Sequence, residues 1–368
     1  MVGKKVLLVP LNWGLGHASR IIPLISALKI AGASVIVGGS PSHISFLQKE
    51  FENLDTLKIP YLHIRLNGRK NQVFRILLQV PALIISIVRE HLALKKIVSE
   101  IGIDIVISDN CYGLWNHKVH SIFITHQLKI KLPDKIKFLE NLINKINRIF
   151  IDKYDECWVP DFGEGDGIAG ELSHSQSISP KTKYMGILSR FNSIKPSIKY
   201  DQKPATKSLL IIISGPEIQR TLFENIIKKE QYALDKEMNY SIIRGLPDSD
   251  DGSLPPGWFN HMSTKELGQL ILESDYIICR SGYSSIMDLI TLGRTALLIP
   301  TPGQTEQEYL AEFLSKNGLF ATQKQELFSL KEGIRILDLF GDEYENRINT
   351  SFNCHFKLPN LLLPEISV

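Results

Sequence analysis

Residues 275–318 constrain the fold of this chain more than any other stretch. A short run of β-forming apolar residues at 276–279 is followed by a turn at 280–282, a helical pattern that ends at Gly293, and a second apolar run at 295–300. Such a turn places a strand end beside a helix N-terminus, whose free backbone N–H groups and dipole attract anions, phosphate above all. The stretch therefore predicts an α/β fold with a phosphate-binding turn.

Polar side chains surround this turn. Ser284 and Ser285 are candidate caps for the helix. One helical turn deeper, Asp288 is a carboxylate that can accept hydrogen bonds from the two hydroxyls of a ribose. The loop after the second strand supplies amide and carboxylate groups suited to sugar hydroxyls: Gln304, Glu306, Gln307 and Glu308.

Two other segments repeat the combination of a buried strand and a glycine-containing turn. One is the strand at 4–9 with the loop 10–16, and the other is the strand at 209–213 with the turn 214–215. Two such openings about 200 residues apart predict two Rossmann-like domains. A dinucleotide site is disfavoured because Ser19 fills the third glycine position of the usual fingerprint. The predicted boundaries are an N-terminal domain at 1–188, a linker at 189–206, a C-terminal domain at 207–340 and a tail at 341–368 that is a candidate for crossing back to the first domain.

The stretch 275–318, together with the Gly-His end of the N-terminal loop at Gly16 and His17, resembles the family-28 glycosyltransferases. The best-known member of that family is the bacterial N-acetylglucosaminyltransferase that makes lipid II. The resemblance implies a GT-B architecture, in which two Rossmann-like domains with parallel sheets face each other across a cleft. It also implies inverting, metal-independent transfer of a hexosyl group from a nucleoside diphosphate, UDP by expectation, to a hydroxyl or lipid-linked acceptor.

In that family the strand–Ser–Gly–helix turn holds the diphosphate, a helix carboxylate holds the ribose, and a Gln-Gln pair holds the sugar. Ser281 and Gly282 match the turn, whereas Asp288 is one methylene shorter than the expected Glu and Glu308 replaces the second Gln. Some donor positions are carried over from the family and others, such as Arg244 at a strand end, are chosen from the residues. The complete predicted donor site is Arg190, Ser214, Gly215, Arg244, Met262, Arg280, Ser281, Gly282, Ser285, Asp288, Gln307 and Glu308.

Two residues compete as the base that deprotonates the acceptor hydroxyl. The imidazole of His17 suits that work at neutral pH, although it can equally cap the helix or bind a phosphate. Asp109, at the end of the strand 104–108, is the rival base. The resemblance makes the N-terminal loop the acceptor side of the cleft, and the predicted acceptor-side residues are Asn12, Gly14, Gly16, His126 and Gln127.

A long helix is predicted at 69–100, and its apolar segment at 73–88 has basic flanks. Such a helix can lie on an anionic bilayer, which would suit a lipid-linked acceptor. The alternative, a core helix that covers the first sheet, is favoured. Pro81 is expected to kink or divide the helix. The expected location is the cytoplasm, with peripheral contact at the inner face of the plasma membrane, because no stretch has the roughly 20 apolar residues of a spanning helix.

Composition limits the other classes of function. The net charge of +3 is too small to argue for nucleic-acid binding. The 4 cysteines are scattered and indicate reduced, buried thiols rather than disulfides or a metal site. The acidic stretch 248–251 is interpreted as a solvated turn, and no metal or cofactor is predicted beyond the nucleotide sugar as co-substrate.

Two rival functions fit the same architecture. A nucleotide-sugar 2-epimerase would use several acids in the cleft, for which Asp109, Glu217 and Glu308 are available. A non-catalytic nucleotide-sugar-binding partner of a membrane enzyme would bind UDP tightly without turnover.

Overall fold

The structure is a computed structural model that describes residues 1–61, 72–174, 179–194, 206–215, 217–231, 238–249, 252 and 254–352, with the backbone alone for 72–80. The described residues form two compact units, 1–188 and 189–352. Much of the predicted linker and the end of the predicted tail, 353–368, lie outside the described residues.

The first unit is built on a parallel sheet, seven-stranded over its described residues, in the order β3-β2-β1-β4-β5-β6-β7. The strands are β1 (Lys5–Pro10), β2 (Ser34–Gly39), β3 (Asp55–Lys58), β4 (Ile105–Asp109), β5 (His120–Ile124), β6 (Glu156–Val159) and β7 (Thr182–Tyr184). The helices are α1 (Leu15–Arg20), α2 (Ile22–Ile30), α3 (Pro41–Glu50), α4 (Gln72–Ile101) and α5 (Glu140–Ile151), with 3₁₀ turns at Asp134–Leu139 and Gly170–Leu172.

The second unit repeats this design, and its described residues form a six-stranded parallel sheet in the order β10-β9-β8-β11-β12-β13. The strands are β8 (Ser208–Ile212), β9 (Asn239–Ile243), β10 (Trp258–Phe259), β11 (Tyr276–Cys279), β12 (Leu297–Leu298) and β13 (Ala321–Thr322). The helices are α6 (Gln219–Glu230), α7 (Thr264–Glu273), α8 (Tyr283–Thr291), α9 (Thr305–Lys316) and α10 (Leu330–Ser351), with a 3₁₀ turn at Gln325–Leu327.

The central strands of both sheets are nearly continuous aliphatic runs because helices cover both faces. In the first unit, Leu7 of β1 lies opposite Ile36 of β2 and Val106 of β4, and Leu7 and Val106 are fully buried. The chain adds β2 and β3 on one side of β1 and then returns to add β4 on the other side. A sheet of this kind binds ligands where the strand order reverses, outside the carboxyl ends of the strands.

The reversal lies between β1 and β4 in the first unit and between β8 and β11 in the second. His17 follows β1 and Asp109 ends β4, whereas Ser214 follows β8 and Ser281 follows β11. The topology thus brings the predicted base and its rival to one point of the first unit. It brings the two predicted phosphate-binding turns to the corresponding point of the second unit.

One helix prediction in the first unit was wrong, and another is decided only in part. The chain after the N-terminal loop forms two helices that meet at Ile21 instead of one. Of the two outcomes expected at Pro81, division does not occur, because the helix α4 continues past this residue. The C-terminal part of α4 is held by packing, since Leu94 is fully buried in the core and the partly buried Ile97 and Val98 pack against the same cluster. Tertiary packing of this kind commonly outweighs local helix preferences.

Two helix starts in the second unit also differ from the prediction. Gly282 is the N-cap of α8, without a side-chain cap, so neither Ser284 nor Ser285 has that role. The helix predicted at 323–339 begins later, where the hydroxyl of Ser329 accepts a hydrogen bond from the backbone N–H of Glu332 and caps α10.

Residues 189–194, which the sequence placed in the linker, pack in the second unit. Phe191 is fully buried and lies close to Gly268 of α7. Within the described residues, no helix is long and apolar enough to cross a membrane.

Candidate active site

The candidate site of the first unit is a buried cluster around Asp109. The Nδ1 atom of His17 lies 2.9 Å from Oδ2 of Asp109, and Nε of Arg20 donates to the same oxygen over 2.9 Å. A second guanidinium nitrogen of Arg20 donates to Oδ1 of Asp109. Asp109 and Arg20 are buried, whereas the side chain of His17 is 17% exposed. Both oxygens of the Asp109 carboxylate therefore bond to the buried guanidinium of Arg20, and Oδ2 also bonds to the imidazole of His17.

The charges of the cluster follow from these contacts. Burial by itself would raise the pKa of Asp109, but the attraction of Arg20 and His17 outweighs it and holds that pKa at about 2. Burial lowers the pKa of His17, against the opposing pull of Asp109. At neutral pH the carboxylate is therefore ionised and the imidazole is neutral. A neutral imidazole that faces a carboxylate through Nδ1 carries its proton there, which leaves the lone pair on Nε2.

Two more histidines border the cluster. The Nε2 atom of His43 lies 3.0 Å from the carbonyl oxygen of Gly14, and burial lowers the pKa of His43 to about 4. His43 is thus a neutral donor that fixes the N-terminal loop. Gly14 has a φ of +77°, and a Cβ atom there would meet nothing within 4 Å, so the loop is open on that side. His126 is buried, with Nδ1 3.4 Å from Nη1 of Arg20.

The other predicted acceptor-side residues lie on the same loops. Gly16 accepts a hydrogen bond from the hydroxyl of Ser19, and the backbone N–H of Gln127 donates to Oγ1 of Thr125. Asn12 lies in the loop after β1 and is partly exposed.

The candidate site of the second unit is the turn from β11 into α8. Gly282 is the N-cap of α8, and a Cβ atom there would meet nothing within 4 Å. The hydroxyl of Ser281 donates to the carbonyl oxygen of Gln307 over 2.9 Å and ties the turn to α9. Gly215, after β8, is also open and has a φ of +111°. The backbone amides at the start of α8 therefore face space in which an anion can approach closely.

Asp288 lies one helical turn into α8 and is buried. Its Oδ1 accepts a hydrogen bond from the hydroxyl of Ser189 over 2.6 Å, and its Oδ2 accepts one from Nε of Arg190 over 3.2 Å. Burial raises the pKa of Asp288, although the guanidinium of Arg190 opposes the shift. The predicted ribose carboxylate and the predicted donor arginine are therefore bonded to each other, and the guanidinium of Arg190 also lies 4.9 Å from the ring centre of Phe191.

Two predicted donor arginines hold protein groups. Arg280 is buried, with its guanidinium 4.1 Å from the ring centre of Phe223, and it donates to the carbonyl oxygens of Gln219 over 3.2 Å and Ile299 over 3.3 Å. Arg244 donates to Glu224 over 3.1 Å and to Asn260 over 2.6 Å. Arg280 thus connects the end of β11 with the start of α6 and the end of β12, whereas Arg244 connects the end of β9 with α6 and the end of β10.

The loop before α9 arranges the predicted sugar-binding groups. The Oε1 atom of Gln307 accepts a hydrogen bond from the backbone N–H of Thr301 over 3.0 Å. The Oε1 atom of Glu308 accepts one from the backbone N–H of Gly303 over 2.8 Å. Gln307 is buried and Glu308 is exposed. The remaining predicted donor residues, Ser214, Met262 and Ser285, are partly exposed.

Sequence reasoning missed three polar residues of these clusters: Arg20, His43 and Ser189. Arg20 lies three positions after His17 in the same helix, so a neighbouring position on the helix surface was a usable signal. His43 and Ser189 carry no comparable pattern.

Comparison with known proteins gives a consistent assignment. Residues 260–357 match the glycosyltransferase family 28 C-terminal domain. An uncharacterized glycosyltransferase of Methanosarcina mazei is 24% identical over 85% of this chain and 84% of the relative. The UDP-N-acetylglucosamine--N-acetylmuramyl-(pentapeptide) pyrophosphoryl-undecaprenol N-acetylglucosamine transferase of Buchnera aphidicola is 23% identical over 80% of this chain and 79% of the relative.

Crystal structures support the same fold. MurG of Acinetobacter baumannii superimposes with a TM-score of 0.59 and 14% identity, and the match covers 98% of this chain and 97% of that chain. The calicheamicin glycosyltransferase CalG4 gives a TM-score of 0.64 and 12% identity over 95% of this chain and 93% of that chain.

Two Rossmann-like parallel sheets, each with polar side chains at its point of strand reversal, give this chain the GT-B fold of these solved structures. Because residues 260–357 match the C-terminal domain of family 28 and curated relatives at 23% and 24% identity are N-acetylglucosamine transferases of the undecaprenol-linked type, the chain is similar to the family-28 glycosyltransferases.

Proposed function

We propose that this enzyme transfers a sugar from UDP to a hydroxyl acceptor with inversion, without a metal ion, and with His17 as the general base. The observation that carries the proposal is the bond between Nδ1 of His17 and Asp109, because it directs the basic Nε2 away from the carboxylate. In an inverting transfer, Nε2 accepts the proton of the acceptor hydroxyl while its oxygen attacks the anomeric carbon. Asp109 orients the ring and stabilises the imidazolium that forms.

Asp109 is the weaker candidate for the base. Its side chain has no exposed surface, and its two oxygens are already bonded to Arg20 and His17. With a pKa held at about 2, it has little tendency to take a proton at neutral pH. The contacts therefore favour His17 as base and Asp109 as the group that positions it.

The open turn at Gly282 supports the assignment of the donor diphosphate to the second unit. The leaving diphosphate gains negative charge in the transition state, and preorganised backbone N–H groups at a helix start stabilise such charge. Gly282 leaves space for close approach, and Ser281 anchors the turn to α9. Asp288 and Arg190 are the groups proposed to meet the nucleotide.

A lipid-linked acceptor at the inner face of the plasma membrane is the second part of the proposal. The name of the Buchnera relative specifies an acceptor that is linked to undecaprenol. In this chain, α4 exposes a row of aliphatic side chains: Leu83, Ile84, Ile85, Val88 and Leu92. An exposed apolar face of this size is suited to an interaction surface, and Arg89, Lys95 and Lys96 on the same helix favour an anionic one.

The test measures UDP release from UDP-sugars with and without a polyisoprenyl-diphosphate-linked acceptor. We expect release to depend on the acceptor, and His17→Ala to lower kcat/KM about 100-fold or more. His117→Ala is the matched control, since His117 is exposed in the same unit, and it should keep the wild-type rate.

The two rival functions give other outcomes in the same assay. Conversion of the UDP-sugar without acceptor would indicate an epimerase. Tight UDP binding without turnover would indicate a binding partner. The comparisons name transferases, which favours UDP release that depends on the acceptor.

A further inference from the structure

The carboxylate of Asp288 in α8 is held by residues 189–191 of the same unit. Its Oδ1 accepts a hydrogen bond from the hydroxyl of Ser189 over 2.6 Å, and its Oδ2 accepts one from Nε of Arg190 over 3.2 Å. The backbone N–H of Arg190 donates to the same carboxylate. Asp288 therefore has protein partners on both oxygens before any ligand is bound.

The hydroxyl of Ser189 has a fixed direction. Its oxygen accepts a hydrogen bond from the backbone N–H of Phe191 over 3.1 Å, and its hydrogen is left for Oδ1 of Asp288, which can only accept while it is ionised. Ser189 and Phe191 are fully buried, and a Cβ atom on Gly268 of α7 would lie only 3.1 Å from Cδ1 of Phe191. Packing against α7 thus keeps the Ser189 hydroxyl on Asp288.

The guanidinium of Arg190 keeps donors that the protein does not use. Its Nε is bonded to Asp288, and its plane lies near the ring of Phe191, 4.9 Å from the ring centre. Within the ranges that the structure describes, no acceptor is bonded to its two terminal nitrogens. The side chain is 14% exposed, so these N–H groups are available to an anionic group of a ligand, such as a diphosphate.

The bonds to Asp288 limit what its carboxylate can accept from a ligand. A carboxylate offers about four accepting positions, two on each oxygen. Ser189 uses one of them, and the two N–H groups of Arg190 use two more. Asp288, whose side chain is 9% exposed, therefore has one position left. The two hydroxyls of a ribose would need two.

We propose that Asp288 recognises a single ribose hydroxyl of the donor nucleotide, and that Ser189 is the positioning residue that limits it to this one contact. The inference rests on the proposed function for the identity of the ligand, a UDP-sugar. With Ser189 fixed on Oδ1 and Arg190 on Oδ2, one ribose hydroxyl bonds to Asp288 and the other does not. A nucleotide that lacks this second hydroxyl is therefore accepted.

The experiment titrates the full-length protein with UDP, 2′-deoxyUDP and 3′-deoxyUDP in a calorimeter. One deoxy analogue should bind about tenfold or more weakly than UDP, because it loses a hydrogen bond to a charged group. The other should bind within about twofold of UDP, because its missing hydroxyl has no partner on Asp288.

Two variants test the role of Ser189. Ser189→Ala removes the bond on Oδ1 and frees a second accepting position, so the affinities of the two deoxy analogues should come within about threefold of each other. Thr291→Val is the matched control in the same helix, since the buried hydroxyl of Thr291 donates to the carbonyl oxygen of Met287 over 2.8 Å. It should keep the wild-type difference between the analogues.

A general loss of stability would weaken all three ligands alike, so the ratios of their affinities report the position of Asp288 itself. Equal losses for both deoxy analogues, a loss for neither, or a Ser189→Ala variant that keeps the wild-type difference would overturn the proposal. These three outcomes presuppose that UDP binds, so they leave the transferase assignment standing. A protein that does not bind UDP would overturn both.

Discussion

At the scale of single residues, Asp109 connects stability with the proposed mechanism. Asp109→Asn removes the charge that pairs with the buried Arg20 and that holds the ring of His17. Breaking a buried ion pair in this way costs about 3–5 kcal/mol, because the remaining charge is left buried without its partner. We expect a loss of that size in urea unfolding, together with a fall in kcat/KM of roughly 100-fold or more.

Asp104→Asn is the matched control, since Asp104 immediately precedes β4 and pairs with the exposed Lys4. An exposed pair of this kind contributes about 1 kcal/mol or less, so both stability and rate should stay close to wild type. Equal losses in the two variants would contradict the role given to Asp109.

Acidification tests the same residue without mutation. The pKa of Asp109 is held at about 2, below its usual value of 3.8, so its ionised form stabilises the folded protein by about 2 kcal/mol above pH 4. That contribution should be lost as the pH falls from about 4 towards 2, and the loss should be absent in Asp109→Asn, as measured by unfolding free energy against pH.

The sequence identified both His17 and Asp109 but treated them as competitors. It could not show that the two side chains are bonded, because the residues are separated by 92 positions. They come together because β1 and β4 are neighbours in the sheet. The partner Arg20 was missed because an arginine in a helix is usually a surface residue. The resemblance to a family supplied the donor residues, but the bonds that Asp288 forms with Ser189 and Arg190 required the folded structure.

At the scale of elements, α4 shows that a helix is easier to predict from sequence than the elements that will pack against it. Its apolar pattern predicted the helix, yet the same pattern suits a core helix and a membrane-binding one. The structure divides the two roles along its length: the part around Leu94 is in the core, whereas Ile84 and Ile85 are exposed. Which part is covered depends on neighbouring elements that are distant in the sequence.

The exposed part of α4 leads to a prediction about membranes. Replacing Ile84 and Ile85 together by Glu should weaken binding to vesicles that contain phosphatidylglycerol at least tenfold, because insertion of each isoleucine contributes on the order of 1–3 kcal/mol. The measurement is co-sedimentation at low salt. Replacing Leu327 and Leu339, which are exposed in the second unit, by Glu is the control and should leave binding unchanged. Equal binding of all three proteins would exclude this face of α4 as the contact.

At the scale of the whole molecule, the proposed donor and acceptor residues are divided between the two units. All predicted donor residues, from Arg190 to Glu308, belong to the second unit, whereas His17 and Asp109 belong to the first. The repeated pattern of strand and glycine turn was enough to predict two Rossmann-like domains, since it reflects the local strand–turn–helix geometry. The sequence placed residues 189–194 in the linker because their packing depends on α7, which lies about 75 positions further along the chain.

This division predicts where UDP protects the backbone from hydrogen exchange. A ligand present at 100 times its Kd stabilises the unit that binds it by about 2.7 kcal/mol, which slows exchange through the opening of that unit by roughly 100-fold. Mass spectrometry of the full chain should show this protection in peptides that cover β8, β11 and α8, whereas peptides that cover β1 and β4 should exchange as they do without ligand. Protection of β1 and β4 alone would place the nucleotide in the first unit, and the donor assignment would then be wrong. Adenosine diphosphate is the control ligand, because the diphosphate groups are the same and any difference in protection reports recognition of the base.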